Sequence, residues 1–581
     1  MKIERVHVHN YRSIIEAEVQ VDDYLLLVGA NNAGKTTFLN AIRLFYGDIK
    51  WEDDDFPCKG NEDDEAWVEI EFRLNNVEWE NLADKYKENP NQKLTLRRYF
   101  KSPDKVKPRN DNVYALMGEE VSETLFYGAK SVGVGKLGTL IYIPAIVTQN
   151  EQMKLSGPSP FRELMKLLVE GRMMASTEFH NVAAAIESLN QAGNQANGFF
   201  SAFTAPMNTR LQADWGVNMG LQVRLPKTED ILKTMLSASF SDQALNNAEI
   251  EFSRFGQGMQ RSVINLLIEL LPTFQTQNAV KTKAGKDSEM KDFSADFLLI
   301  LYEEPEAFLH PSQQILLARK LHDLGAQPDR QVIASSHSSV FASRKVDDLH
   351  QMVRFERVNG RSHVYQPGLG KIRRKLAEAA EEFEGRVRVA GTASGSPSQL
   401  QNRDEYFFSL WLDAERAGVF FANKVFLVEG PTEKALFEYL LSQDWADQLQ
   451  ELGNFAILDC SGKFNIPRFM HLMHAFGIKF GIMIDDDNGR TTSKGISHQA
   501  LNTVIKEMCG REGLKEVSCA DPVMLPDCLE TFLGLQVPTR GDFKPSEMLA
   551  ALQDPATFAK LPLNTLKAKF RSAMGLPISI S

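Results

Sequence analysis

The chain contains 581 residues, of which 43% are hydrophobic and 24% are charged, and this composition excludes global disorder. A single hydrophobic core rarely grows beyond about 250–300 residues, so two or more domains are expected. The net charge of −11 excludes a globally basic protein that coats nucleic acid. Any contact with nucleic acid must use a local basic patch or metal ions.

The number of cysteines and the hydropathy of the chain indicate in which cellular compartment the protein is expected. The five cysteines are scattered and form no C-x-x-C pair, so neither a disulfide framework nor a zinc-binding module is expected. The start of the chain lacks the apolar core of a signal peptide, and no run of about 18 apolar residues is long enough to span a membrane. We therefore expect a cytoplasmic protein without a membrane partner.

The first chemical motif is a glycine-rich turn between an apolar strand, YLLLVG, and a predicted helix. The segment Gly29-Ala-Asn-Asn-Ala-Gly34-Lys35-Thr36-Thr37 fits the phosphate-binding pattern G-x-x-x-x-G-K-[ST] in the context that this pattern requires. The backbone amides and the helix N-terminus would hold phosphates. Lys35 is expected to reach the outer phosphates and Thr36 to bind Mg²⁺. The predicted cofactor is therefore ATP with Mg²⁺, and the predicted binding set is completed by Asn32, Gly34 and Thr37.

Two later apolar strands end in residues suited to nucleotide hydrolysis. Residues 297–301 are typical of a buried parallel strand, and Glu303 and Glu304 follow them. Glu303 is expected to hold Mg²⁺ through water and Glu304 to orient the attacking water. The strand in QVIASSHSS ends near His337, whose imidazole would sense the γ-phosphate. A glutamate pair alone is more often surface charge and a lone histidine more often structural, but their position after buried strands favours function.

The chain between and beyond these motifs predicts two domains. Residues of about 150–250 are predicted to form a helical insertion in a first domain, 1–385, and a polar loop follows at 275–293. Within the first domain, the turn Gly256-Gln257-Gly258 opens a helix whose amides would face a phosphate, although a plain helix cap is the alternative. Small residues predict a linker at 386–422, and a second α/β domain occupies 423–581.

The second domain begins with an acid at the end of a strand. KVFLVEG ends in Glu429, and Gly430 permits a tight bend into a helix. Pro431 suits the first turn of that helix, which also holds Glu433. These residues predict two carboxylates close together at the carboxyl edge of a sheet.

Further acids follow at other predicted strand ends. KFGIMIDDDNG ends a strand with three aspartates, and strand alternation would point Asp485 and Asp487 the same way. Glu530 and Lys544 follow downstream. Read alone, DDDNG is more often a surface turn and EGPTE a helix cap. The ordered set favours a metal site instead.

Such a set of acids is suited to phosphodiester cleavage. Mg²⁺ requires oxygen ligands, and cleavage gains most from two ions about 3.5–4 Å apart. Lys544 would neutralise the phosphate in the transition state. The predicted metal ligands are Glu429, Glu433, Asp485, Asp487 and Glu530.

The motifs resemble two known families. NYRS at 10–13, YIPA, EEPEAFLHP and SSHS, with the glycine-rich turn, resemble the ATP-binding-cassette (ABC)/SMC/RecF-like ATPases, in particular the branch found in overcoming-lysogenisation-defect (OLD) proteins. The acids of the second domain, with LVEGPTEKALF, resemble the TOPRIM domain of topoisomerases, primases and OLD nucleases. A topoisomerase would need a tyrosine-bearing cleavage domain, and no tyrosine follows Tyr439. A bacterial primase would bring a zinc-binding module, which the cysteine spacing excludes.

The resemblance to OLD proteins implies an α/β fold: an ABC-type P-loop ATPase head with a helical insertion, followed by a TOPRIM domain. It implies head-to-head dimers or higher oligomers on ATP, with Gly256, Gly258 and Met259 opposite the partner's nucleotide. The Leu-Ser-Gly-Gly-Gln string usual at that position is not present. It also implies Mg²⁺, Mn²⁺ or Ca²⁺ in the TOPRIM site, and DNA as a partner. A defence role would be shared with a helicase, as in Gabija, or with a reverse transcriptase and its multicopy DNA, as in retrons.

The predicted function is an ATP-gated, metal-dependent DNA endonuclease that nicks or cuts both strands in antiphage defence. Two other functions stay open: a RecF-like ATP-dependent clamp or repair protein with a non-catalytic TOPRIM domain, and a TOPRIM ribonuclease toxin that attacks RNA such as tRNA. The sequence leaves open whether ATP licenses or restrains cutting.

Overall fold

The computed structural model describes residues 1–57, 63–87, 91–104, 112–118, 120–128, 136–145, 160–227, 230–236, 239–242, 248–250, 254–263, 265–266, 293, 295, 297–342, 345–387, 412–413, 415–487, 490, 497–537 and 543–577. The chain forms two compact units. The first comprises residues 1–140, 292–306 and 311–581, and the second comprises residues 141–291 and 307–310. The predicted helical insertion falls in the second unit. The predicted TOPRIM domain and the strands that carry the nucleotide motifs share the first.

The described strands follow one another along the chain as β1 (Lys2–Tyr11), β2 (Ile14–Gln20), β3 (Tyr24–Gly29), β4 (Ala66–Arg73), β5 (Lys93–Lys101), β6 (Val113–Met117), β7 (Glu120–Leu125), β8 (Thr139–Ile143), β9 (Phe240–Asp242), β10 (Ala248–Ile250), β11 (Leu298–Glu303), β12 (Arg330–Ser335), β13 (Met352–Val358), β14 (Arg361–Tyr365), β15 (Lys424–Val428), β16 (Phe455–Asp459), β17 (Lys479–Asp485) and β18 (Val523–Leu525).

The described helices are α1 (Lys35–Tyr46), α2 (Asn76–Asn81), α3 (Pro160–Leu168), α4 (Thr177–Asn194), α5 (Phe199–Trp215), α6 (Pro311–Gly325), α7 (Leu369–Val387), α8 (Pro431–Gln443), α9 (Ala446–Leu452), α10 (Ile466–Ala475), α11 (His498–Cys509), α12 (Leu514–Val517), α13 (Leu529–Leu533), α14 (Lys544–Gln553), α15 (Pro555–Phe558) and α16 (Leu563–Ala573). None of these helices is both long and apolar enough to cross a membrane.

The nucleotide motifs lie on a six-stranded sheet with the strand order β14-β13-β3-β12-β11-β8. Strands β13, β3, β12 and β11 run parallel, and β3, β11 and β12 are buried along their whole length. Continuous burial explains why these strands are apolar runs rather than alternating patterns. Because parallel strands end at the same sheet edge, the glycine-rich turn, Glu303 and the loop with His337 share one edge.

A second, antiparallel sheet has the order β2-β1-β4-β5-β6-β7. Three of its strands, β5, β6 and β7, lie in the polar segment 90–135. In β5, Leu94 and Leu96 are buried, whereas Lys93 and Thr95 between and beside them are partly exposed. This alternation is the half-buried strand pattern, and the polar residues occupy the outer face.

The second unit is described in part. Helices α3, α4 and α5 agree with the predicted helical character of the insertion, and Val169, Phe179 and Ile231 form a small core. Strands β9 and β10 pair antiparallel. Of the predicted polar loop at 275–293, only Phe293 is described.

The C-terminal third forms a parallel four-stranded sheet with the order β16-β15-β17-β18. Phe426 of β15 packs against Phe437 of α8 and Phe570 of α16, with ring centroids 5.0 Å and 5.1 Å apart. Most of the predicted linker, 388–411 and 414, lies outside the described residues. At its end, a 3₁₀ turn at Arg416–Phe421 buries Val419 and Phe420 before β15 begins.

Candidate nucleotide and metal sites

The glycine-rich turn lies at the end of β3 and is held by neighbouring strands. Gly29 has a φ of 131° and Gly34 a φ of 114°, values that side chains rarely tolerate. A Cβ on Gly29 would lie 2.2 Å from the Phe355 carbonyl oxygen, and one on Gly34 would lie 2.3 Å from Ser362 Oγ. Backbone conformation and packing therefore both require glycine at these two positions.

Lys35 folds back onto the turn. Its ammonium group donates hydrogen bonds to the carbonyl oxygens of Gly29, at 2.8 Å, and Ala30, at 2.9 Å. Burial lowers the pKa of Lys35 to about 8, although nearby carboxylates, led by that of Glu304, oppose the shift. Lys35 thus stabilises the loop through two hydrogen bonds to carbonyl oxygens. Phosphate oxygens of a bound nucleotide would replace these carbonyl oxygens as acceptors.

The remaining predicted contacts of the turn stay accessible. The side chains of Asn32 and Thr36 are exposed and that of Thr37 is partly buried. Asn32 adopts a φ of 62°, a conformation that asparagine tolerates better than most residues. The first turn of α1 is therefore open to a phosphate-bearing ligand.

Glu303, Glu304 and His337 meet at the same sheet edge. Glu303 ends β11, is buried, and pairs in register with Ser335 of β12. Glu304 has a φ of 41°, and His337 Nε2 lies 3.8 Å from Glu304 Oε1. Burial, together with the charge of Lys35, lowers the pKa of His337 to about 4. The imidazole is therefore neutral near neutral pH, and its contact with Glu304 is not an ion pair.

Sequence reasoning missed Glu306, which holds the histidine loop in place. Its carboxylate accepts hydrogen bonds from the backbone amides of His337, at 2.5 Å, and Ser338, at 3.1 Å, and from the Ser336 hydroxyl, at 2.8 Å. The sequence feature that could have indicated Glu306 is the third acid of EEPE, three residues after the end of a buried strand.

The predicted trans contacts belong to the second unit. The carbonyl oxygen of Gly256 accepts hydrogen bonds from the amides of Met259, at 2.9 Å, and Gln260, at 3.2 Å, where a helix begins at 257. The Met259 side chain is exposed. The role of this turn, including Gly258, opposite a partner's nucleotide stays a prediction.

In the C-terminal sheet, Glu429 and Asp485 join the ends of neighbouring strands. Glu429 Oε1 accepts a 2.6 Å hydrogen bond from the backbone amide of Asp485. Glu433 lies one turn further, and its Oε2 accepts a 3.0 Å hydrogen bond from the Gly430 amide. Both glutamates therefore lie at the junction of β15 and α8, as predicted.

Asp487 also lies in this cluster, but strand alternation does not explain its position. Strand β17 ends at Asp485, and Asp487 adopts a φ of 54°, so the alternation does not continue to it. Instead, Asp487 Oδ2 lies 2.6 Å from Lys463 Nζ and 3.1 Å from His498 Nδ1. The backbone turn and these two contacts bring the carboxylate towards Glu429.

Lys463 also contacts the cluster, although the sequence analysis did not single it out. Its ammonium group lies 3.3 Å from Glu429 Oε1 and donates a 2.5 Å hydrogen bond to the Asp485 carbonyl oxygen, in addition to its contact with Asp487. The available sequence signal was Gly-Lys directly after a strand, in DCSGK. One lysine thus contacts three residues predicted to bind metal.

Glu530 and Lys544 complete the set as an ion pair. Lys544 Nζ lies 2.9 Å from Glu530 Oε1, and Glu530 is buried at the start of α13. Burial would raise the pKa of Glu530, but the hydrogen bond and charge of Lys544 hold it below its usual value. The charge of Glu530 also contributes to the raised pKa of Glu433.

Three other acids of this cluster, Glu429, Glu433 and Asp485, lose their protons less readily than carboxyl groups in water. Burial raises the pKa of Glu429 to about 7, although Lys463 opposes the shift. Burial and the charge of Asp485 raise the pKa of Glu433 to about 7. Burial and the charges of Glu429 and Asp487 raise the pKa of Asp485 to about 8. A cation in this cluster would relieve the repulsion.

The chemistry of the donors fits a hard divalent cation. The acids supply only oxygen atoms, the ligands that Mg²⁺, Mn²⁺ and Ca²⁺ prefer. Within the described part of the chain, however, no group of three or more His, Cys, Asp or Glu side chains is arranged as a finished metal site. In each of Glu429, Glu433 and Asp487, one carboxylate oxygen accepts a hydrogen bond from a donor of the protein itself. A cation would bind the other oxygens or displace these donors.

Comparison with known protein families matches the predicted ATPase domain and the predicted TOPRIM domain. Residues 1–137 and 146–342 match the AAA ATPase domain family, and residues 420–487 match the "Overcoming lysogenization defect protein-like, TOPRIM domain" family. The chain is 24% identical to the Old nuclease of Escherichia phage P2 over 84% of this chain and 77% of that protein. It is 21% identical to Endonuclease GajA of Bacillus cereus (strain VD045) over 90% of this chain and 81% of that protein.

Among solved structures, an SMC head bound to the C-terminal winged-helix domain of ScpA aligns at 13% identity with a TM-score of 0.34. The alignment covers 63% of this chain and 97% of that one. The predicted α/β fold with an ATPase part and a TOPRIM part is confirmed by the family matches and by the sheets described above. The chain therefore belongs to the AAA ATPase family and carries, downstream of that ATPase, a TOPRIM domain of the overcoming-lysogenisation-defect type.

Proposed function

We propose that the protein is an ATP-gated, divalent-metal-dependent DNA endonuclease that acts in antiphage defence. An ATPase joined to a TOPRIM domain, in a chain that is similar to proteins named as nucleases, supports an ATP-dependent nuclease. The observation that carries the proposal is the cluster of partly buried carboxylates at the ends of β15 and β17, with pKa values raised to about 7 or 8.

The side chains of the cluster have distinct parts in this reaction. Glu429, Glu433, Asp485, Asp487 and Glu530 would hold two divalent cations. The bound cations would supply Lewis-acid chemistry, and one of them would lower the pKa of a water molecule. Lys544, which is paired with Glu530, would turn its charge towards the phosphate of the substrate and stabilise the negative charge that develops there.

The ATPase site would set when cutting occurs. Lys35 would exchange its bonds to loop carbonyls for bonds to phosphate, Thr36 and Glu303 would hold Mg²⁺, and Glu304 would orient the attacking water. The neutral His337 would donate a hydrogen bond to the γ-phosphate without adding a charge. Nucleotide binding would also bring two ATPase heads together, with Gly258 facing the partner's nucleotide.

The deciding experiment measures nicking of supercoiled plasmid with Mg²⁺ or Mn²⁺, with and without EDTA. We expect Glu433→Ala and Asp485→Ala to abolish nicking and to leave ATP hydrolysis within about twofold of the wild type. Glu438→Ala, on the exposed face of the same helix, is the matched control. Undiminished nicking by both site variants would overturn the assignment of these acids.

Two further arms separate the alternatives. Structured RNA and tRNA incubated beside the plasmid test for a ribonuclease, and cleavage of RNA alone would replace DNA as the substrate. Binding of DNA without any cleavage, in every metal tried, would indicate a clamp with a silent TOPRIM domain.

Protection against phage by the wild type and not by Asp485→Ala, in cells that also carry the neighbouring genes, tests the defence role and a helicase or reverse-transcriptase partner.

A further inference from the structure

The carboxylate cluster already contains a cation that belongs to the protein. The side chain of Lys463 is 1% exposed, and its ammonium group contacts Glu429 Oε1 at 3.3 Å, Asp487 Oδ2 at 2.6 Å and the Asp485 carbonyl oxygen at 2.5 Å. Ammonium groups only donate hydrogen bonds, and all three contacts are to oxygen atoms. A charge so deeply buried persists only when it is paired in this way.

The loop that carries Lys463 is fixed from several sides. The amide of Gly462 donates a 2.6 Å hydrogen bond to the Glu429 carbonyl oxygen. The Asn465 side chain donates to the carbonyl oxygens of Cys460 and Ser461, each at 3.0 Å. Arg416 donates a 3.0 Å hydrogen bond to Ser461 Oγ. Because the backbone is held, the position of the ammonium group is set by the fold rather than by chance packing.

We propose that Lys463 is a positioning residue that serves as the resident counter-cation of the cluster. Before a divalent cation binds, Lys463 neutralises Glu429 and Asp487 and holds them together where β15 and β17 end. When the divalent cation binds, Lys463 gives up these oxygen atoms to it. The inference rests on the proposed function, since it assumes that the cluster takes a divalent cation.

Removal of the Lys463 ammonium group should have two opposite effects, one on the stability of the metal-free protein and one on metal affinity. Removing the ammonium group exposes the carboxylates to mutual repulsion, which destabilises the metal-free protein. The same removal eliminates a positive charge that competes for the same oxygen atoms, which strengthens binding of the divalent cation. A lysine that merely fills space would produce the first effect without the second.

The test compares Lys463→Met, Lys463→Arg and Lys567→Met in the full chain after removal of metal with EDTA. Lys567 lies on α16 of the same domain in a partly exposed ion pair with Asp447, so it is a matched control. The measurements are the thermal midpoint with and without saturating Mg²⁺ or Ca²⁺, and the metal dissociation constant by titration calorimetry. Neither measurement depends on nuclease activity.

We expect Lys463→Met to melt below the wild type without metal and to regain more in midpoint when metal is added. Its metal affinity should rise roughly tenfold, as expected when a neighbouring unit charge is removed. Lys463→Arg, which keeps the charge, should lose less of the metal-free midpoint than Lys463→Met, and Lys567→Met should match the wild type in both measurements. If Lys463→Met does not fold, Lys463→Gln, which removes the charge and keeps a hydrogen-bond donor, carries the same comparison.

The outcomes separate this inference from the proposed function. A metal-induced rise in the variant equal to or smaller than that of the wild type, or weaker metal binding, would overturn the role of Lys463. Absence of any shift in the wild type with either cation would count against the metal-dependent function itself.

Discussion

The guanidinium of Arg354 donates a 3.1 Å hydrogen bond to the carbonyl oxygen of Phe476, which lies just before β17. It also donates to Gly477, at 3.3 Å, and to Ala422, at 3.2 Å, just before β15. Arg354 is fully buried in β13, and the next residue of that strand, Phe355, pairs with Gly29 of the glycine-rich turn. The strand beside the nucleotide turn is thus bonded to the starts of both strands that end in the carboxylate cluster.

This link predicts that Arg354→Lys weakens the connection between the two activities. Lysine lacks the planar fork that reaches several carbonyl oxygens at once, so the free energy of unfolding should fall by about 1–3 kcal/mol. ATP hydrolysis should persist, whereas the effect of ATP on plasmid nicking should shrink several-fold. Arg374→Lys, on the exposed face of α7, serves as the control. An unchanged response of nicking to ATP would show that coupling does not pass through Arg354.

The glycine-rich turn predicts a loss of nucleotide binding in Lys35→Met. The lysine forms two hydrogen bonds to loop carbonyl oxygens, which phosphate oxygens would replace. A hydrogen bond to a charged group contributes roughly 1.5–3 kcal/mol, so ATP affinity should fall about 10–100-fold. The rise in thermal midpoint on adding Mg²⁺ and ATP should disappear with it. The exposed substitution Lys50→Met should leave both unchanged.

We predict that the rate of ATP turnover shows no inflection from His337 near pH 6.5. Burial and the charge of Lys35 lower its pKa to about 4, so the imidazole stays neutral as the pH falls through its ordinary value of 6.5. His337→Gln, which remains a neutral hydrogen-bonding side chain, should reduce ATP turnover without changing the shape of the rate–pH curve above about pH 5. A wild-type inflection near pH 6.5 that the substitution removes would contradict this assignment.

The carboxylate cluster predicts that the metal-free protein loses stability as the pH rises. The pKa of Glu433 is raised from 4.5 to about 7 in the folded protein, so the folded state binds a proton that the unfolded chain has released. Stability is therefore highest below about pH 4.5 for this group and falls as the pH rises to 7. Glu433→Gln should flatten this decline in the thermal midpoint, whereas Glu438→Gln on the same helix should not.

The same carboxyl groups predict that binding of a divalent cation releases protons. Glu429 and Glu433, with pKa values of about 7, and Asp485, with a pKa of about 8, must give up their protons before they bind a metal. Mg²⁺ affinity should therefore rise as the pH increases from 6 to 9, up to roughly tenfold per pH unit for each proton displaced. Calorimetric titrations in buffers of different ionisation enthalpy measure the protons released, and a value of zero would contradict the raised pKa values.

The amino-acid sequence by itself determined the features that depend on neighbouring residues. The glycine-rich turn, the acids after β11 and β15 and the helix that begins at Pro431 are local patterns, because a strand, a turn and a helix start are each specified within a few residues. Parallel strands end at one sheet edge, so the sequence also predicted that Glu429 and Asp485 would lie close together.

The tertiary structure decided the contacts between distant parts of the chain. Lys463 meets Asp487 across a separation of 24 residues, and Arg354 meets Phe476 across 122; no local pattern specifies such pairs. Asp487 also departs from strand alternation because its backbone turns to a φ of 54°. Side-chain ion pairs over long separations depend on how complete elements pack, and for that reason they emerge only once the fold is formed.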